Sequence, residues 1–333
     1  MELTTIWFAL IAVLWIGYFV LEGFDFGVGM LLPILGRNEP ERRAILRTIG
    51  PVWDGNEVWV IVAGGATFAA FPEWYATLFS GFYLPLFLIL VGLIVRGVGI
   101  EYRNKRGAVA WRARWDTLIA ISSFLPALLW GVAFANIVAG VPIDAHRNYT
   151  GNLFTLLNPF GLLGGATTLL LFLTHGLVFL ALKTEGDLRE RANRLVTPVG
   201  LVTAVVAVAF LAWANVQTGT AISSVVAVVA ALCFVGGLAA NRVRREGWAF
   251  LGSAVTIGLA VVSLFLALFP EVMPSSTDPA FSLTVTNASS TPYTLTIMTV
   301  VAVIFTPIVL IYQGWTYWTF RKRVMVQPAK AKP

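Results

Sequence analysis

Apolar stretches long enough to cross a membrane recur along the chain. They fall near 5–32, 52–71, 77–100, 117–140, 159–182, 198–216, 221–240, 248–269 and 294–320, with short polar segments between them. A transmembrane helix takes about 20 apolar residues, so the pattern predicts an all-α, polytopic membrane protein with nine spans. The sixth and seventh are the hardest to divide. Only 215–220 (NVQTGT) parts them, and without a turn there they would form a helix too long for one crossing. Composition agrees with this reading: 58% of the 333 residues are hydrophobic and 12% are charged, against about 25% charged in a soluble chain. The first residues, Met-Glu-Leu-Thr-Thr, lack a basic n-region and a small-residue cleavage site, and read as a retained span rather than a signal peptide.

The charges give the orientation. If nine spans alternate, every Lys and Arg except Arg147 falls on one side, in the loops before spans 2, 4, 6 and 8 and in the tail. Basic loops stay in the cytoplasm, which puts the N-terminus outside and the C-terminus inside. The net charge of +6 therefore reports topology and some attraction to anionic lipid, and no nucleic-acid partner is implied. Tyr312, Trp315, Tyr317 and Trp318 followed by Arg-Lys-Arg read as an interfacial belt and anchor. Two outside loops, 141–158 and 270–293, are long and rich in Asn, Pro, Ser and Thr.

Four carboxylates break the apolar pattern: Glu22 and Asp25 late in span 1, Asp54 and Glu57 at the start of span 2. Charges at membrane depth are costly, and they persist where they face the bundle interior and do something. Each pair is spaced i, i+3, one helix face. With the N-terminus outside, Glu22 and Asp25 lie about 25–30 Å along span 1, so all four gather toward the cytoplasm. Carboxylates in series at that depth suit a proton inlet. Against this, Asp54 and Glu57 also suit first-turn capping, and Gly23 and Gly27 could mark a close helix contact. Arg96, within the end of span 3, is most simply a counter-ion to the cluster, with snorkelling to the interface as the alternative.

Redox ligands are sparse. His146 lies in an outside loop and His175 within span 5, where a hydrogen-bonded helix histidine is the simpler reading than a haem ligand. Cys233 stands alone in an apolar run and reads as a small buried hydrophobe. No CxxCH, metal-ligand cluster or phosphate-cradling loop occurs, so no catalytic, cofactor or metal residue is assigned in this chain.

Nine stretches carry a family resemblance: GFDFGVGM (23–30), GRNEPERR (36–43), WDGNEVW (53–59), AGGATFAAFP (63–72), FSGFY (79–83), GVAFAN (131–136), YTGN (149–152), LLNPFGLL (156–163) and FPEVMPSST (269–277). In these the chain resembles subunit II of bacterial bd-type quinol oxidases. The resemblance implies a single transmembrane domain over 1–323, comprising a four-helix bundle at 1–140, a second at 141–269 and a peripheral ninth helix at 294–320. Residues 324–333 would form a disordered cytoplasmic tail. It further implies a multi-pass chain of the bacterial cell membrane, itself haem-free. Its partner, oxidase subunit I, would carry two haems b, one haem d and the quinol site. The complex would oxidise quinol from the membrane pool and reduce oxygen to water. Small single-span accessory subunits, and a structural quinone or lipid, are also compatible with the family. Protons would reach the haems along the subunit interface. The aspartates that match are Asp25 and Asp54; Glu22 and Glu57 join them on position alone. A long insertion found in some relatives between spans 6 and 7 is absent. Two rival readings stay open: a secondary transporter with buried carboxylates, and a purely structural scaffold.

Overall fold

Residues 2–326 are described by a computed structural model. The helices are α1 (Leu3–Leu35), α2 (Glu39–Ile49), α3 (Trp53–Ala70), α4 (Pro72–Gly81), α5 (Tyr83–Tyr102), α6 (Val109–Ala139), the single turn α7 (Leu153–Leu156), α8 (Pro159–Lys183), α9 (Gly186–Thr218), α10 (Ala221–Arg242), α11 (Glu246–Leu268) and α12 (Pro292–Thr319). Eight are long and apolar enough to cross a membrane. The chain is an integral, multi-pass membrane protein.

The element that falls short of the expected nine is α3. Its 18 residues include Asp54 and Glu57, and at 1.5 Å per residue it reaches about 27 Å against a hydrocarbon core of about 30 Å. The expected third span, 77–100, is also corrected. Phe82 leaves helical geometry and splits it into α4 and α5. Elsewhere helices outrun their apolar windows, because α6 and α9 begin with charged turns outside the apolar part.

The loop expected before span 2 contains α2. Asn38 caps it by accepting from the Glu41 N–H at 3.0 Å, and Glu41 Oε2 accepts from the Arg37 N–H at 2.9 Å. This is a capping box displaced by one residue. Between α9 and α10 the turn is tighter than NVQTGT suggested: α9 runs to Thr218, and Thr220 and Ser223 form a reciprocal capping box.

Lipid tails are as apolar as leucine, so helix association here depends on close packing and hydrogen bonds rather than on hydrophobic burial. α1 is the central helix and lies against α3, α6, α8 and α11. Its tightest approach is to α8, where a Cβ on Gly27 would sit 2.8 Å from the Gly176 Cα, and one on Gly176 would sit 2.6 Å from the Gly27 Cα. Farther toward the N-terminal half of α1, against α6, pack the rings of Trp15, Tyr18, Phe19, Trp130 and Phe134, with the Trp130 N–H donating to the Tyr18 hydroxyl at 3.1 Å.

The two long loops meet at one end of the molecule. Residues 271–273 (β1) and 283–284 (β2) pair antiparallel, and Val141 exchanges backbone hydrogen bonds with Pro274 and Ser276 at 3.0 and 2.9 Å. At the opposite end, beside α2, the expected disordered tail is corrected in its first residues. The Val324 N–H donates to the Lys183 carbonyl at 2.7 Å, and Arg323 Nη1 donates to the Thr184 carbonyl at 3.0 Å. The rest of that expectation, 327–333, lies outside the described residues.

Candidate functional site

α1 carries Glu22 and Asp25 into the interior, and both are 0% exposed. Arg96 comes from the last turns of α5 and is equally buried. It forms an ion pair with Glu22, and its Nη2 lies 2.6 Å from Glu57 Oε1 on the first turns of α3. The guanidinium also covers the Phe26 ring at 4.7 Å. Arg96 is thus the counter-ion and does not snorkel. Glu57 retains 21% side-chain exposure, the greatest of the three carboxylates in the cluster.

Asp25 sits one turn from Glu22. Its Oδ2 accepts the Asn56 amide at 2.7 Å, while its Oδ1 is buried without a partner among the described residues. Asn56 Oδ1 accepts the Tyr317 hydroxyl at 2.8 Å and Gln313 Nε2 at 3.4 Å, both from α12. One fixed positive charge thus faces three carboxyl groups, two of them wholly withdrawn from solvent. Uncompensated charge in such a place is costly.

Of the four carboxylates singled out in the sequence, Glu22 and Glu57 pair with Arg96, Asp25 lies one turn from Glu22 against Asn56, and one stands apart. Asp54 is exposed on the outer face of α3, in line with Val58 and Ile61, and its Oδ1 accepts only the adjoining Gly55 N–H, at 2.8 Å. The i, i+3 rule held for Glu22 and Asp25, but at the start of α3 it placed one residue inward-facing and one outside. Asn56 and Gln313 escaped the sequence reading because neutral polar residues carry no charge signal, and Tyr317, expected in an interfacial belt, instead turns its hydroxyl to Asn56. The trace available was an amide, Gln313, standing in an apolar run.

A second polar lattice ties α2 to the helix ends beside it. Arg103, 0% exposed, pairs with Asp116 and with Glu39 at 2.9 Å; Arg42 reaches Asp116 at 2.9 Å, and Arg191 reaches Glu41 at 2.7 Å. Partial burial pushes the Glu39 and Glu41 carboxyls up, but hydrogen bonds from Arg103 and Arg43 to Glu39, and from Arg191 and the Arg37 backbone to Glu41, outweigh it. Both end below the usual carboxylate range.

His175 is buried between α1 and α11. Its Nδ1 is 2.7 Å from Ser253 Oγ and its Nε2 is 3.1 Å from the Val20 carbonyl. A backbone carbonyl can only accept, so Nε2 carries the proton and Nδ1 accepts from the serine. Both ring nitrogens are engaged. Among the described residues no three His, Cys, Asp or Glu side chains gather to hold a metal.

The sequence profile of the family described as cytochrome bd terminal oxidase subunit II matches residues 3–320. The chain is 42% identical over 328 residues to the cytochrome bd ubiquinol oxidase subunit 2 of Bacillus subtilis (strain 168), covering 97% of each. It is 39% identical over 357 residues to the cytochrome bd-I ubiquinol oxidase subunit 2 of Escherichia coli (strain K12), covering 96% of this chain and 94% of that one. Its fold resembles a chain of the bd oxidase from Geobacillus thermodenitrificans with a TM-score of 0.78 at 18% identity, over 97% of this chain and 100% of the other. A profile match across nearly the whole length, with relatives near two-fifths identity, places this chain in the cytochrome bd terminal oxidase subunit II family.

Proposed function

We propose that this chain is the haem-free subunit of a bd-type quinol oxidase, pairs with a haem-bearing subunit I and delivers protons to it from the cytoplasm. Membership of the family makes it a component of a terminal oxidase in the bacterial cytoplasmic membrane. The proton role is carried by one observation: Glu22 and Glu57 paired with the buried cation Arg96, and Asp25 buried one turn from Glu22, with graded access to solvent. Asp54 collects protons at the exposed start of α3, Glu57 takes them into the cluster, Glu22 shares the Arg96 guanidinium with Glu57, and Asp25 holds the innermost position.

Haem supplies the oxygen chemistry in such oxidases, and two haems b and one haem d belong to the partner in this reading. The two bonded nitrogens of His175 offer no axial ligand, and this chain's own contribution is to hold and pass protons. The apolar cavity lined by Phe172, Leu211, Phe234 and Val261 supports a structural quinone or lipid in this reading, since its lining suits a hydrocarbon tail.

In topology we read nine crossings, with α3 as the short ninth. The basic loops then share one side, the N-terminus lies outside and the C-terminus inside. The two four-helix bundles divide after α6, and α12 stands apart.

Purification from membranes through a tag on this chain, followed by an absorption spectrum, tests the assignment. Reduced b- and d-type haem bands travelling with a second large subunit are expected, and any accessory single-span subunits would appear beside them. A colourless, monodisperse single polypeptide would instead favour the transporter.

A further inference from the structure

α12 is the least embedded of the long helices. Leu295 is its one buried side chain among the described residues, and most of its surface is exposed. Yet it sends two polar side chains inward, Gln313 and Tyr317, spaced i, i+4 and so on one face. Both meet α3 next to the buried carboxylates.

The hydrogen bonds there have a fixed direction. Trp59 Nε1 lies 2.9 Å from Gln313 Oε1, and an indole N–H only donates. That contact orients the Gln313 amide, leaving Nε2 to donate to Asn56 Oδ1 at 3.4 Å, where the Tyr317 hydroxyl also arrives at 2.8 Å. With its oxygen occupied by donors, the Asn56 amide must turn Nδ2 toward Asp25 Oδ2, 2.7 Å away, and the Leu21 carbonyl, 3.4 Å away. The chain runs one way, from Trp59 through Gln313 and Asn56 to Asp25. Neither amide carries a titratable proton, so the chain does not conduct. It ends by presenting an N–H to Oδ2 whether or not Asp25 is protonated. Oδ1, which makes no hydrogen bond among the described residues, is then the oxygen left to take a proton.

We propose that Gln313 and Tyr317, with Trp59, are positioning residues that hold Asn56 against Asp25 and confine its exchangeable proton to Oδ1. This rests on the reading of Asp25 as a proton carrier. α12 is thereby a wall of the proton site, and its register matters. The register is fixed at both ends: the Trp7 indole donates to the Leu295 carbonyl at 3.3 Å and to Thr299 Oγ1 at 3.1 Å, and the residues after the helix are tied to Lys183 and Thr184.

The competing account is that these polar side chains only glue α12 to α3. The test uses the whole oxidase complex. Tyr317→Phe deletes one hydroxyl without changing shape, Gln313→Glu replaces the donor facing Asn56 by an acceptor, and Asp25→Asn is the reference. Haem content, the pH profile of oxygen reduction and the carboxyl C=O band lost in Asp25→Asn infrared difference spectra are read for each. We expect full haem content, an alkaline limb moved upward by about one pH unit in Tyr317→Phe and further in Gln313→Glu, and a displaced Asp25 band in both. An unmoved limb and band in assembled Tyr317→Phe and Gln313→Glu complexes, with Asp25→Asn slow, would overturn the positioning role and leave the inlet standing. A wild-type rate in Asp25→Asn would remove the inlet itself.

Discussion

Arg96→Met is the most revealing single change to the buried cluster. Methionine keeps much of the length and removes the cation. Arg96 and Glu22 are both 0% exposed, Glu57 is 2.6 Å from the guanidinium, and Phe26 lies beneath it at 4.7 Å. Removing one partner from a buried ion pair costs about 3–5 kcal/mol, and the lost cation–π contact adds about 1 kcal/mol. For a chain of 333 residues unfolding as a unit with ordinary per-residue entropy, the ion-pair loss alone lowers the melting temperature by about 4–7 °C. Most of this loss comes from stranding carboxylates, so Arg96→Met combined with Glu22→Gln should recover a good part of it. Thermal melting of the purified complex in lipid nanodiscs, for both single variants and the double, closes the cycle. A melting point for Arg96→Met within 1 °C of wild type, or a double variant that falls by the sum of the singles, would show that these groups are not one coupled site.

Three further outcomes follow from the packing and the charges. Gly27→Val at the α1–α8 crossing forces a side chain into the Phe172–Gly176 backbone and should abolish assembled complex, seen as loss of the tagged protein on size exclusion; normal yield would contradict the close approach. His175→Phe removes the hydrogen bonds to the Ser253 hydroxyl and the Val20 carbonyl, and because Ser253 can still donate to the Phe250 carbonyl the cost is about 1 kcal/mol; the melting point should fall slightly while haem content stays unchanged, and haem loss with an unchanged melting point would make His175 a ligand. Glu39 and Glu41 titrate below their ordinary 4.5 when folded. Their pairing with Arg103 and Arg191 is therefore fully present above about pH 4.5 and lost as pH falls through the lowered folded values. Hydrogen exchange at α2 should rise over that acid range, and a Glu39→Gln, Glu41→Gln variant should lack the rise.

The sequence made the spans legible wherever apolar runs stood alone, as in α8, α10, α11 and α12. It failed where charge and helix coincide. α2 is amphipathic and short, and the charged first turns of α6 and α9 lie outside any apolar window. The break at Phe82 follows Gly81 and precedes Pro85, which has no N–H to give the Gly81 carbonyl, a signal hidden inside an otherwise apolar run. The carboxylates could be found because charge is conspicuous in apolar sequence, and Arg96 for the same reason. Which of Asp54 and Glu57 turns inward depends on where α5 presents its arginine, and spacing along α3 does not contain that. The neutral amides at Asn56 and Gln313 become meaningful only once α12 is seen to fold back against α3.

The central claim is that Asp25 carries protons, and the most direct test is time-resolved proton uptake in the assembled oxidase after photolysis of the CO-bound reduced enzyme with oxygen present. For Asp25→Asn with full haem content, proton uptake slowed at least tenfold is expected, with the electron-transfer phases that precede it unchanged. Uptake at the wild-type rate in that variant would contradict the account and leave this chain a scaffold for its partner.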